Sequence, residues 1–126
     1  MTSWRQTFPA TSKGARAARL FATKVVSSAD GLVDQVALVV SELAANAVLH
    51  AATPFTVAVH QTGSEVTIEV EDGSPTIPHV KDHGLAAPTG RGLRIVDQLT
   101  DDWGVNPTSA GKVVWARLES EHVKSA

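Results

Sequence analysis

Between residues 32 and 51, apolar side chains recur at Val33, Val36, Val40, Leu43, Ala44, Ala47, Val48 and Ala51. Spacings of three and four bring such residues onto one face only if the chain is an α-helix. A helix with so broad an apolar stripe needs another layer to lie against. Two later runs supply it. Residues 55–61 and 66–71 alternate apolar and polar positions, the period of a half-buried strand, and Thr62, Gly63 and Ser64 between them read as a hairpin connection. A long amphipathic helix beside a hairpin with one apolar face predicts helices packed on an antiparallel sheet.

The flanking segments extend this plan. Residues 4–8 read as a short strand stopped by Pro9, and Thr11 or Ser12 is placed to cap a helix running to residue 27, with Ala15, Ala18, Leu20, Phe21, Ala22 and Val25 on or near one face. Residues 28–31 break it. Helical spacing resumes over residues 90–99, and Val105 and residues 112–118 predict two further strands about a turn at residues 106–111. The expected fold class is therefore α+β: a two-layer sandwich of a mostly antiparallel sheet with helices on one face. With 126 residues, 43% of them hydrophobic, the chain is long enough for one domain with its own core, so residues 1–126 are expected to form a single unit.

Charge and composition narrow the function. No cysteine is present, which excludes disulfides and thiolate zinc sites. Thirteen acidic against eleven basic residues leave a net charge of -2, so no general attraction draws in a polyanion and no direct nucleic-acid partner is expected. The apolar runs read as too short and too broken by charge for a membrane span, and the start of the chain carries no signal core; the expected location is cytoplasmic, without a membrane anchor. Arg5, Lys13, Arg16, Arg19 and Lys24 all precede the first acid, Asp30. They form either a solvated helix face or a docking surface for an acidic partner.

Three segments carry candidate chemistry. Glu42 and Asn46 are four apart on the long helix and share a face, which His50 extends by one turn. This polar stripe is either a solvated face or a rigid carboxylate and carboxamide suited to Mg²⁺, a cation that takes hard oxygen ligands and keeps several waters. Asp72 ends a strand before Gly73: either the pair forms a turn, or the carboxylate is exposed to a pocket whose ligand approaches the backbone. Gly90, Arg91 and Gly92 open a helix whose first N–H groups can face a phosphate. Residues 72–89 between them form a long aperiodic loop, a candidate lid. His79 and His83 lack a clear third metal ligand, and neither a Walker A sequence nor a dinucleotide fingerprint occurs.

Together these segments resemble the GHKL (histidine kinase-like) ATPases. Residues 41–51, SELAANAVLHA, resemble the family's N box; residues 70–75, VEDGSP, its G1 box; and residues 89–93, TGRGL, its G2 box. The Asp-x-Ser-Pro and Gly-Arg-Gly-Leu forms and the late Trp-Gly-Val are most similar to the anti-sigma-factor serine kinase branch. The resemblance implies the Bergerat ATP-binding fold, with ATP and Mg²⁺ as cofactors. It implies that Glu42 is the catalytic residue, as general base or water-orienting carboxylate, that Asn46 is the metal ligand, and that Asp72 accepts a hydrogen bond from the adenine amino group. Gly73, Gly90, Arg91, Gly92 and Leu93 would complete the nucleotide site under a lid at residues 76–89. A serine protein kinase acting on an anti-anti-sigma (STAS) protein, or sequestering a sigma factor, is the implied function, with a homodimer among the assemblies open to it. The alternative is an ATP-responsive binding module without catalysis. Val113 stands where the branch is expected to carry threonine, so one hydroxyl near the adenine is expected to be missing.

Overall fold

The computed structural model describes residues 1–26, 31–74 and 88–119, residues 88–92 by their backbone. Strand β1 (Thr2–Phe8) is followed by helices α1 (Ser12–Val25) and α2 (Val33–Asn46), the hairpin β2 (Phe55–Thr62) and β3 (Glu65–Asp72), helix α3 (Pro88–Leu99), and strands β4 (Asp102–Pro107) and β5 (Lys112–Glu119). The strands form one sheet in the order β1-β2-β3-β5-β4, and every pair is antiparallel. The three helices pack in a single layer, α2 between α1 and α3 and across β3 and β5.

Local chemistry sets the element ends. Thr11 is the N-cap of α1: its backbone is extended and its side-chain oxygen accepts the Gly14 N–H at 3.0 Å. A Cβ on Gly14 would lie 2.0 Å from the Pro9 carbonyl oxygen, so only glycine lets the chain turn back this tightly from β1. Gly14, Ala18 and Ala22 form the buried face of α1, and their small side chains let α1 sit close to α2.

The long helix departs from the expected uniform α form. Regular α bonding stops at Asn46, and residues Ala47–Ala51 widen into a π turn closed by the Ala52 N–H to the Ala47 carbonyl at 3.2 Å. Ala52 then leaves in the left-handed conformation, φ 55°. His50 lies exposed on this turn, whereas Glu42 and Asn46 are half-buried on the regular helix before it.

Val33–Ala51 is also long and apolar enough by composition to cross a membrane, a stretch of 19 residues with a mean hydropathy of 1.2, which the alternation of short apolar runs and charges did not suggest. Its apolarity has a use in the core. Val36, Val39, Val40, Leu43, Ala44 and Ala47 are buried there with Val57, Val59, Val66, Ile68 and Val70 of the hairpin, Leu93 and Val96 of α3, and Val114, Ala116 and Leu118 of β5. Phe8 closes one end, its ring 5.8 Å from those of both Phe21 and Phe55.

Leu43 lies at the centre of this layer, 2% exposed, whereas Leu49 on the π turn is 62% exposed. Leu43→Ala is expected to destabilise the fold by about 2–5 kcal/mol and Leu49→Ala by less than about 0.5 kcal/mol. Urea denaturation of the two variants checks the contrast.

Candidate functional site

Period-two alternation determines which residues of β3 and β5 face the helices. On β3 the inward row is Val66, Ile68, Val70 and Asp72; on β5 it is Lys112, Val114, Ala116 and Leu118. The register pairs them rung by rung: Val66 with Leu118, Ile68 with Ala116, Val70 with Val114, and Asp72 with Lys112. Three apolar rungs are thus followed by a terminal ionic one. The Lys112 ammonium lies 3.0 Å from Asp72 Oδ1, with the two side chains only 5% and 3% exposed.

Asp72 therefore departs from the open, pocket-facing carboxylate expected from the sequence. Besides the ammonium, its Oδ1 accepts the Ser74 N–H at 2.9 Å, an Asx turn that carries the chain out of β3. Lys112 Nζ also lies 3.5 Å from the Ser74 carbonyl oxygen. Charges this deeply buried need a partner, and each of these residues is the other's.

Close backbone contacts surround the pair. The Gly73 N–H donates to Thr53 Oγ1 at 2.9 Å, which ties the end of β3 to the segment just after the π turn. A Cβ on Gly111 would fall 2.0 Å from the Asp72 carbonyl oxygen and 2.7 Å from Gly73, so glycine is required where β5 begins. Val113 pairs with Glu71 and Asn106 and faces the opposite side of the sheet from Asp72. The side chain beside the Asp72 carboxylate is Lys112, and the expectation that Val113 marks a missing contact at that place is corrected.

The other candidates lie on elements joined by packing against α2. Glu42 and Asn46 lie half-buried on the last turns of α2, which packs against both α3 and β3. Asn46 Nδ2 is buried without a hydrogen-bond partner. Since the two ends of a carboxamide are interchangeable in position, this is an unsatisfied polar group of a kind that a cation or a phosphate oxygen would satisfy. Leu93 is fully buried in the core and anchors the start of α3. That helix begins at Pro88, two residues earlier than expected, so Gly90 lies inside its first turn and Gly92 beyond it. Proline has no N–H to leave unpaired, while those of Thr89 and Gly90 have no acceptor within the helix. Pro88 and Thr89, assigned to the lid from the sequence, belong to α3; residues 75–87, with the rest of the lid and with His79 and His83, lie outside the described residues, as does the side chain of Arg91.

The donor set fits a magnesium nucleotide. Among the described residues no group of three His, Asp or Glu could hold a metal by itself. Mg²⁺ carried on phosphates needs only one or two protein oxygens, which the Asn46 carboxamide and Glu42 carboxylate can supply.

Sequence reasoning missed Lys112 and Thr53. Lys112 was detectable, because the alternation of residues 112–118 puts it on the apolar face; Thr53 had no sequence signal, since its role depends on where β3 ends. Lys112→Met is expected to destabilise the fold by about 3–5 kcal/mol, because it leaves the Asp72 carboxylate buried and uncompensated. Adding Asp72→Asn is expected to restore much of the loss. A double-mutant cycle by chemical denaturation measures the coupling.

Compared with known proteins, the chain matches the Histidine kinase-like ATPase domain family over residues 8–118. No curated protein matches it. Among solved structures it is similar to the RsbU and RsbW domains of Rv1364c from Mycobacterium tuberculosis, with a TM-score of 0.71 at 19% identity, over 94% of this chain and 32% of that one. The fold is shared, and this chain spans about a third of the matched chain.

Proposed function

The chain belongs to the histidine kinase-like ATPase domain family, and from that premise we propose that it binds ATP with Mg²⁺ and acts as a cytoplasmic serine protein kinase on an anti-anti-sigma (STAS) protein, or holds a sigma factor. The observation that carries the reading is the family match over residues 8–118, which takes in every candidate residue from Glu42 to Leu93. The unsatisfied Asn46 amide and the packing of α2 against both α3 and β3 support it. The likeness to a solved chain that contains an RsbW domain supports the same class of partner.

Each residue has a role in this reading. Asn46 holds the cation through its carboxamide oxygen, and Glu42, one turn earlier on the same face, accepts the proton of the attacking serine hydroxyl. The serine oxygen bonds to the γ-phosphorus as the bond to the β-phosphate bridging oxygen breaks, leaving phosphoserine and ADP. When bound, Mg²⁺ neutralises charge on the phosphate oxygens. The N–H groups in the first turn of α3, with Gly90 and Gly92 keeping the backbone open, face the phosphates, and Arg91 adds a guanidinium contact. Asp72 and Gly73 form the base end of the site. Exposed Arg16 and Arg19, which with Ala15 and Ser41 line an open depression of about 350 Å³ on the helix layer, offer an acidic partner a docking surface.

The alternative is a non-catalytic, ATP-responsive module that sequesters a regulator. Two measurements separate the readings. Calorimetric titration with MgATP is expected to give saturable binding that weakens about 10-fold or more in Asn46→Ala, the loss of a charge-assisted contact. Transfer of labelled γ-phosphate to a STAS serine is expected to fall about 10²–10⁴-fold in Glu42→Gln while ATP affinity is retained. Binding without transfer to any STAS serine would leave the module and remove the kinase.

A further inference from the structure

The base end of the site contains an element that the proposed function leaves unused. Asp72 is expected to read the adenine amino group, yet its Oδ1 is occupied by the Lys112 ammonium and the Ser74 N–H. Neither of these bonds uses Oδ2, and of the ammonium's three donors two are directed at Asp72 Oδ1 and, at 3.5 Å, the Ser74 carbonyl. The pair is the last rung of the inward row, with Val70 and Val114 on one side and the strand ends on the other.

We propose that Lys112 sets the base selectivity of this site, so that it accepts 6-oxopurine nucleoside triphosphates such as GTP as well as ATP; the inference rests on the nucleotide-binding reading above. A lone carboxylate set against the 6-substituent of the base discriminates sharply. It accepts the 6-amino group of adenine and repels the 6-oxo group of guanine, because two acceptors then face each other with no proton between them. A carboxylate with an ammonium 3.0 Å away presents an acceptor and a donor side by side. Adenine meets such a pair with its amino donor and N1 acceptor. Guanine meets it with the opposite order, its N1–H donating to the carboxylate and its 6-oxo group accepting from the ammonium. A neutral amino group is also a poor competitor for a carboxylate that already holds a cation in a buried setting, so the base binds the pair as a unit.

Parallel calorimetric titrations of the full chain with MgATP and MgGTP test this, repeated on Lys112→Thr, which removes the ammonium, and on Lys112→Met, which fills its volume without its charge. The wild-type affinities are expected to differ by less than about tenfold, and the variants to prefer ATP by about tenfold or more, the discrimination typical of one correctly paired base edge. A wild-type preference for ATP of tenfold or more overturns the proposal even if neither variant folds, and so does equal binding of the two nucleotides by a folded variant. Binding of ATP by a variant but of neither nucleotide by the wild type also overturns it and leaves the nucleotide site standing. If neither nucleotide binds to wild type or variants, the nucleotide reading falls with it.

Discussion

A charged rung at the end of an apolar row constrains this structure more than any other single contact. Asp72 and Lys112 face inward because the alternation of β3 and β5 continues through them without a break, and in that position they are removed from water. Burying either charge alone costs several kcal/mol. The two strands must therefore meet in the observed register, and a shift by one residue would set Lys112 against Glu71 or Gly73 and turn the whole row to solvent. Gly111 then has to be glycine, because a Cβ there would run into the backbone of Asp72 and Gly73 where the pair is enclosed.

Helix α2 joins this constraint to the candidate chemistry. Its apolar face covers the inner rows of the sheet, so Glu42 and Asn46 at its C-terminal end are held rigidly at the side of the fold where β3 ends. The π turn after Asn46 ends the regular helix, and the chain leaves through Ala52 in the left-handed conformation. Thr53 is then in place to accept the Gly73 N–H. Such turns are frequent at functional sites because they redirect side chains at the cost of regular hydrogen bonding. Here it leaves Asn46 as the last polar residue of the regular helix, with one buried amide group unsatisfied, and His50 exposed on the turn beyond it.

The sheet presents different chemistry on its two faces. The inward rows of β3 and β5 are apolar apart from the terminal ion pair. The outer face carries exposed or half-buried polar contacts, such as Arg5 with Glu71 at 3.0 Å and the chain from Ser3 Oγ through His60 to Glu69. Exposed pairs of this kind add little stability, typically under about 1 kcal/mol each. The fold depends on the helix side of the sheet, which is also the side on which the candidate residues lie.

Much of the fold was legible in the sequence, and for a physical reason. Periodicity is a local property: three-and-four spacing located the long helix, alternation located the hairpin and β5, and Thr11 and Gly63 marked a cap and a turn. The motifs at Glu42 to Asn46, Asp72 to Gly73 and Gly90 to Leu93 were readable because each needs particular residue types at short range. What the sequence by itself determined was thus the kind of layer each segment enters, together with the family to which the three motifs point. The tertiary structure alone decided that Lys112 rather than Val113 lies beside Asp72, that the Asp72 carboxylate is enclosed instead of open, and that the regular helix gives way to a π turn after Asn46. Those outcomes depend on strand register and on how a helix end meets a strand end, which are relations between residues about 40 positions apart that no local pattern records.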